Sequence, residues 1–257
     1  MTDLKRKCAY CGEFGNLSRE HIFPSSIIQR SDEKLMSLND KSDSYFKSDL
    51  VVKDVCENCN NGVLSNLDNQ LCIVYDSCMH SPVMPGADAE LSYDYHPLLR
   101  VLLKISFNSA RASSDGIRAV KAFRNLVPYI MGKTETAPDV MLRLQIDTSA
   151  KKYNIENQQV EGLLKANILR SAKLAYDGPQ KSRFIVRLVA INSFWFYLIL
   201  PTQTVDRAKK QAFLKGFKAW QLQPGLEVLP NQSSLNIPAE KTTYIHPSLL
   251  SGMKRKN

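Results

Sequence analysis

The stretch CENCNNG, residues 56–62, decides how the N-terminal part of this chain folds, because it repeats the cysteine spacing of CAYC at residues 8–11. A Cys-x-x-Cys unit forms a tight turn with both sulfur atoms on one side, and two such units enclose a tetrahedral ion with no open position. A closed site of this kind is typical of structural zinc, whose binding contributes to folding. We therefore predict that one Zn²⁺ ion is bound by four thiolates, those of Cys8, Cys11, Cys56 and Cys59.

A redox pair is the alternative interpretation of a Cys-x-x-Cys unit. Two units in one chain, and a sequence around Cys8 that lacks a strand–helix pattern, favour zinc. The remaining cysteines, Cys72 and Cys78, lie on a predicted apolar helix. We interpret them as small core residues and not as ligands.

The ends and apolar runs of the sequence predict where the protein resides. The N-terminus carries no apolar segment typical of a secretory signal. The longest apolar run, residues 194–200, is far shorter than the roughly 20 residues that cross a bilayer. We therefore expect a cytoplasmic protein with no membrane span, in which disulfides are rare.

Charge is unevenly distributed along the 257 residues. The net charge is +9, with −3 in residues 1–80 and +12 in residues 81–257. A basic surplus attracts polyanions, and nucleic acid is the first candidate. The alternative is a basic protein without a polyanionic partner.

The hydrophobic patterns predict an α+β fold in two regions, residues 1–80 and residues 90–257, joined by a stretch rich in Pro and Gly. Residues 31–49 are polar and predict a loop or a loosely formed hairpin, and residues 230–257 predict irregular structure. Residues 139–147 alternate like a strand, and residues 183–201 predict two strands joined at Asn192-Ser193. Helices are predicted over residues 60–79, 96–112, 117–131, 160–175 and 205–222.

The stretch SREHIFPSS, residues 18–26, places two ionisable side chains next to each other. In an extended segment neighbouring side chains point to opposite faces, so Glu20 and His21 can serve two different partners. Histidine changes its charge near neutral pH and can accept a proton from water. A surface pair without catalytic role is the alternative interpretation of such a dipeptide.

Together, these motifs resemble the HNH endonucleases of the ββα-metal class. The resemblance covers residues 8–68 and rests on three motifs, C-x-x-C, S-x-E-H-I-x-P and V-C-x-x-C-N-N-G. It is closest to the variant of the family that has Glu-His in place of Asp-His. The resemblance implies a treble-clef-like, zinc-bound N-terminal module. It also implies that His21 is the general base, and that Glu20 and Asn60 bind a catalytic Mg²⁺ or Mn²⁺ ion through oxygen atoms.

The sequence departs from this family at one position. The middle Asn of the HNH name has its equivalent nine residues before Asn60, where this chain has Val51. That Asn commonly braces the loop that carries the histidine. We expect another group to take its place, with Asn61, Asp68 and Ser18 as the candidates.

Two sets of cations are candidates for contact with DNA. The predicted helix at residues 96–112 is apolar apart from a narrow stripe that includes Arg100, Lys104 and Arg111. The predicted helix at residues 205–222 has Phe213, Phe217 and Trp220 on one face, and on the other face it carries the cations Arg207, Lys210, Lys215 and Lys218. A solvated helix face is the alternative interpretation of this second set.

The sequence thus predicts a metal-dependent endonuclease that hydrolyses DNA phosphodiester bonds. The alternatives are a zinc-stabilised nucleic-acid-binding protein without cleavage, which the missing middle Asn favours, and a zinc-containing adaptor for other proteins. The resemblance is compatible with prokaryotic antiviral defence or restriction, and with a dimer. The sequence does not specify the DNA target or the oligomeric state.

Overall fold

The structure, a computed structural model, describes most of the chain. The described residues are 6–30, 37–39, 44–46, 50–113, 116–154, 156–157, 159–174, 180, 182–217 and 225–243. Within them the chain is mixed α and β, as the sequence predicts. No helix among these residues is long and apolar enough to cross a membrane.

The N-terminal region is built on an antiparallel strand pair, β1 (Leu17–His21) and β4 (Val51–Cys56). The pair brings the last residue of β1, His21, opposite Val51, and it carries Cys56 back beside the first cysteine turn. Between the two strands lie a short helix and a hairpin, which confirms the hairpin alternative for the described part of residues 31–49. These elements are α1 (Ser25–Gln29), β2 (Ser37–Asn39) and β3 (Ser44–Phe46).

A helical segment follows β4 and confirms the helix predicted over residues 60–79. It begins with α2 (Glu57–Cys59), passes through a wide turn at Asn60–Leu64, continues as α3 (Ser65–Val74) and ends in a second wide turn at Tyr75–Met79. Gly62 has φ −97° and ψ −106°, outside the helical region, so the axis is kinked there. The kink separates the second cysteine turn from the long part of the helix.

The C-terminal region contains a five-stranded antiparallel sheet. Its strands are ordered β12-β6-β11-β10-β9. Asn192 occupies the tight turn between the two central strands with φ 49°, a conformation that Asn tolerates, so the predicted turn is confirmed. The strands are β6 (Met141–Ile146), β9 (Leu169–Lys173), β10 (Phe184–Ile191), β11 (Phe194–Pro201) and β12 (Leu226–Glu227).

The helix α4 (Tyr95–Ala112) connects the two regions physically. It packs on α3 and β4 on one side and on strands β9, β10 and β11 on the other. Thirteen of its 18 residues are buried, because it has neighbours on nearly every face. One continuous cluster of buried side chains extends from Cys8 to Ile237. The predicted boundary at residues 81–90 therefore lies between regions that share a core.

The other face of the sheet is covered by α7 (Arg207–Phe217). Phe213 stacks on Phe184 with ring centroids 4.3 Å apart, and Trp195 and Tyr197 belong to the same cluster. Because both faces of the sheet are covered, β10 and β11 are buried along nearly their whole length without alternation. The remaining elements are α5 (Ile117–Arg124), α6 (Val127–Ile130), β5 (Ala89–Ser92), β7 (Ala150–Tyr153), β8 (Val160–Leu164), β13 (Ser234–Ile237) and a 3₁₀ turn at Ala239–Lys241.

Two predicted elements are wrong. The helix predicted over residues 160–175 is replaced by β8, which pairs with β7, and by β9, which pairs with β10 at the edge of the sheet. Where the hydrophobic periodicity of a segment is ambiguous, pairing with strands elsewhere in the fold decides its secondary structure. Residues 230–257 were predicted to be irregular, but β13 pairs with β5, and residues 244–257 lie outside the described part.

Candidate metal centre and histidine site

Four cysteines form a compact cluster where the two Cys-x-x-Cys turns meet. Their sulfur atoms all lie within 4.8 Å of one another. The Sγ atoms of Cys11 and Cys56 are 3.7 Å apart, close to the sulfur–sulfur edge of about 3.8 Å that follows from Zn–S bonds of about 2.3 Å in a tetrahedron. The four-cysteine site, Cys8, Cys11, Cys56 and Cys59, can therefore hold a metal ion, as the spacing predicts.

The surroundings of the four-cysteine site lower the pKa of one thiol and raise the pKa of two others. Burial would raise the pKa of Cys8, but main-chain N–H groups donate to its Sγ atom, from Tyr10 at 3.4 Å and from Cys56 at 3.3 Å, and lower the pKa to about 7. Burial raises the pKa of Cys11 and Cys59. Metal binding to this site consequently releases protons and strengthens with rising pH.

His21 is the last residue of β1 and is partly exposed. Its carbonyl oxygen accepts a hydrogen bond of 3.2 Å from the side-chain amide of Asn108, which lies on α4. The next residue, Ile22, donates its N–H to the carbonyl of Leu50 at 3.0 Å. The main chain on both sides of the imidazole is thus bonded to other elements, which fixes the backbone from which the ring projects.

Glu20, the residue before His21 in β1, is buried, whereas His21 is partly exposed, which is compatible with alternation along a strand. Glu20 is 3% exposed, and its carboxylate forms an ion pair with the ammonium group of Lys104. The same ammonium group lies 2.7 Å from Oδ1 of Asp68 on α3. We name Glu20, Lys104 and Asp68 the buried charge triad; Lys104 itself is 0% exposed.

Burial dominates the ionisation of both carboxyl groups in the triad. It raises the pKa of Glu20 and of Asp68, while the positive charge of Lys104 lowers both. A smaller contribution to both pKa values comes from the charge of His21, which lowers them.

Asn60 follows the second cysteine turn and reaches back to β1. Its side-chain N–H groups donate to Oγ of Ser18 at 2.8 Å and to the carbonyl of Arg19 at 3.0 Å. Asn60 therefore ties the start of the helical segment to the strand that carries His21. Ser18 in turn donates to the carbonyl of Val55 at 3.0 Å.

A second divalent ion fits these residues less well than zinc fits the cysteines. Glu20 and Asn60 carry oxygen donors of the type that Mg²⁺ prefers, but Lys104 already neutralises the carboxylate of Glu20. Among the described residues, the four cysteines are the group of carboxylate, imidazole and thiol side chains that lies close enough to hold a metal ion. The binding of Mg²⁺ or Mn²⁺ by Glu20 and Asn60 stays a prediction.

Comparison of this chain with known protein families, with curated proteins and with solved structures found no match.

Sequence reasoning missed Asn108. This side chain is 0% exposed; besides donating to His21, its Oδ1 atom accepts from the hydroxyl of Tyr10 at 2.6 Å and from Nη2 of Arg111 at 3.0 Å. One amide group thus joins the first cysteine turn, α4 and the histidine strand. It holds the carbonyl of His21, whereas Asn61, Asp68 and Ser18 were the candidates for bracing this segment. The only signal in the sequence was an Asn inside an otherwise apolar helix.

The predicted stripe on α4 requires a correction. Lys104 does not face solvent, because the buried charge triad encloses it, so it is not placed to contact DNA. Arg100 lies over the ring of Tyr129, 4.9 Å from its centroid, and donates to the carbonyl of Thr134. Arg111 pairs with Asp54 at 3.0 Å and is 9% exposed. These three cations have three different environments and do not form one surface.

The basic face of α7 is described in part. Arg207 and Lys215 are exposed, and Lys210 pairs with Asp139. Phe213 is buried on the apolar face of the helix and packs against the sheet. Lys218 and Trp220 lie outside the described residues. Contact between this face and DNA stays a prediction.

Proposed function

We propose that this protein is an endonuclease that hydrolyses DNA phosphodiester bonds, with His21 as the general base. The observation that carries the proposal is the position of His21 at the end of β1. It is partly exposed, its main chain is held by Asn108, and it directly follows Glu20 of the buried charge triad. An exposed imidazole on a fixed backbone has the reach and the chemistry to accept a proton from water.

The other residues have supporting roles in this proposal. The triad holds Glu20 away from solvent and fixes the strand next to His21. Asn60 ties that strand to the helical segment. Zinc in the four-cysteine site would hold the two ends of the region together, and it would supply no chemistry because four thiolates leave no open position.

The basic surplus of residues 81–257 supports DNA as the substrate, since a net acidic N-terminal region would be repelled by phosphate. The prediction of a catalytic Mg²⁺ or Mn²⁺ ion belongs to this proposal, and so does a role in prokaryotic defence. The role proposed for His21 does not depend on that ion.

A nucleic-acid-binding protein without cleavage is the second candidate. One observation favours it: Lys104 neutralises Glu20, the carboxylate that the first proposal predicts as a metal ligand. An ammonium group in that place would compete with a divalent cation for the same oxygen atoms. The two candidates differ in whether DNA is cut, and they share DNA binding.

Plasmid cleavage separates the candidates. The zinc-loaded protein is incubated with supercoiled plasmid and Mg²⁺ or Mn²⁺, with EDTA in the control reaction, beside the variants His21→Ala and His80→Ala. His80 is an exposed histidine outside this site and serves as the matched control. We expect cleavage by the parent and by His80→Ala, and loss of at least a hundredfold in rate for His21→Ala, the usual contribution of a general base.

Each outcome decides between the candidates. Equal cleavage by His21→Ala and the parent would place the base elsewhere. Parent protein that binds duplex DNA in a salt-dependent manner but does not cut it would establish the second candidate. Cleavage that persists in EDTA would remove the divalent ion from the proposal and leave His21 in place.

A further inference from the structure

We propose that the cleft between the first cysteine turn and helices α4 and α5 binds a phosphate group of the nucleic-acid backbone. The cleft has a volume of about 460 Å³, which is within the range of protein ligand sites, roughly 300–1,000 Å³. The lining residues used below are Lys7, Tyr10, Asp54, Phe107, Arg111 and Arg124. Its lining does not include the histidine or the buried charge triad.

Positive charge prevails in this cleft. Lys7 precedes the first cysteine turn, Arg111 is in the last turn of α4, and Arg124 ends α5. Three separate elements therefore direct cations to one concave surface. The carboxylate in the lining, Asp54, is already occupied by Arg111. The remaining charge of the cleft suits an anion.

Arg111 is held in place like a side chain of a preformed binding site. Its Nε and Nη2 atoms donate to the two oxygen atoms of Asp54 at 3.0 and 3.2 Å, and its guanidinium carbon lies 4.2 Å from the ring centroid of Phe107 and 5.2 Å from that of Tyr10. Its Nη1 atom is buried and has no hydrogen-bond acceptor among the described residues. The guanidinium group is therefore held in one orientation by Asp54, Phe107 and Tyr10, with part of its hydrogen-bonding capacity unused.

The cleft is connected to the proposed catalytic histidine by one side chain. Asn108 accepts from Nη2 of Arg111 and donates to the carbonyl of His21. A phosphate held at Arg111 would therefore be fixed relative to the histidine backbone. The inference deepens the proposed function, and it rests on that function for nucleic acid as the source of the phosphate.

The competing explanation is that these cations neutralise the thiolates of a zinc-loaded four-cysteine site, since Cys8 and Cys11 also line the cleft. That explanation accounts for Lys7 and Arg111. It gives no reason for Arg124, which extends from a different element, to line the same cleft.

The test measures duplex DNA affinity against salt for zinc-loaded parent, Arg124→Gln, Lys7→Gln and the control Lys121→Gln. Lys121 is exposed on the same helix as Arg124 but does not line the cleft. We expect Arg124→Gln and Lys7→Gln each to lose about 0.9 from the slope of log K against log salt and about tenfold in affinity at 0.1 M salt. Lys121→Gln should keep the parent slope.

Equal losses of affinity and of salt slope in all three variants would show that the total charge of the protein, and not the cleft, attracts DNA. That result would overturn the inference. Unchanged affinity in the two cleft variants would overturn it as well, and parent protein that still cuts DNA would leave the proposed function standing.

A second measurement does not need DNA. Inorganic phosphate is titrated into ¹⁵N-labelled, zinc-loaded protein while the arginine Nε signals are followed by NMR. We expect a saturable shift of the Arg111 signal in the parent and in Lys121→Gln, and at least a threefold weaker response in Arg124→Gln. No shift in the parent would overturn the inference, because the cations would then serve the thiolates alone. If the parent does not bind DNA, the proposed function fails, and this titration still decides whether the cleft binds phosphate.

Discussion

Replacement of Lys104 by Met tests the buried charge triad most directly. Met keeps the length and apolar character of the lysine stem but removes the ammonium group. The Lys104 side chain is 0% exposed, that of Glu20 is 4% exposed and that of Asp68 is 20% exposed. Removing one partner of a buried ion pair leaves an uncompensated charge and costs about 3–5 kcal/mol. We expect the free energy of unfolding at pH 8 to fall by this amount.

The loss should depend on pH in a defined direction. Burial raises the pKa of Glu20 and Asp68 above their ordinary values of 4.5 and 3.8, and Lys104 opposes this rise. Without Lys104 both folded-state pKa values rise further. A raised folded-state pKa gives stability that is present below the unfolded pKa and is lost as pH rises through the folded pKa. The deficit of the variant should therefore be smallest near pH 4 and grow towards pH 8.

Urea unfolding followed by circular dichroism, with zinc held constant, measures both effects. Lys121→Met on α5 is the matched control, since this lysine is exposed, and its effect should stay within about 0.5 kcal/mol. A triple variant should recover part of the lost free energy of unfolding, because it has no unpaired buried charge. This variant combines Lys104→Met with Glu20→Gln and Asp68→Asn. A Lys104→Met deficit below about 1 kcal/mol, or one that is equal at pH 4 and pH 8, would refute our description of the triad.

Three further predictions concern other parts of the molecule. We expect the parent to contain one zinc ion per chain, and Cys56→Ser should contain less, measured by elemental analysis, and have a smaller folded fraction, because an ion bound by the four thiolates would hold two distant segments together; folded, active, zinc-free protein would contradict this. Asn108→Ala should lower the free energy of unfolding by about 2 kcal/mol, measured with urea, and slow plasmid cleavage at least tenfold, since its partners at His21 and Tyr10 lose a buried hydrogen bond. Phe213→Ala should lower the free energy of unfolding by about 3–4 kcal/mol, because this ring is 2% exposed and stacks in the core. The control Lys215→Ala, on the exposed face of α7, should change it by less than about 0.5 kcal/mol.

The sequence predicted features that depend on local spacing. Two Cys-x-x-Cys units specify a cluster of four sulfur atoms wherever the chain between them leads, and the structure brings those atoms together. The strands on either side of Asn192 were predictable because a hairpin pairs neighbouring segments. The helix at Tyr95–Ala112 was predictable from its length and apolar character. For the hairpin and the helix, residues close in sequence carry the determining interaction; for the cysteines, the two local spacings identify the ligands although the two units are far apart in the chain.

The tertiary structure decided the features whose partners are far apart along the chain. Val160–Leu164 and Leu169–Lys173 are strands because β7 pairs with β8 and β10 pairs with β9, which no local pattern shows. Lys104 was predicted to contact DNA, yet it is enclosed by Glu20 and Asp68, which lie 84 and 36 residues earlier. Asn108 holds the carbonyl of His21 across 87 residues. A sequence states which side chains are charged or polar, but their partners are chosen by packing, since a buried charge or amide must find its counterpart wherever the fold places one.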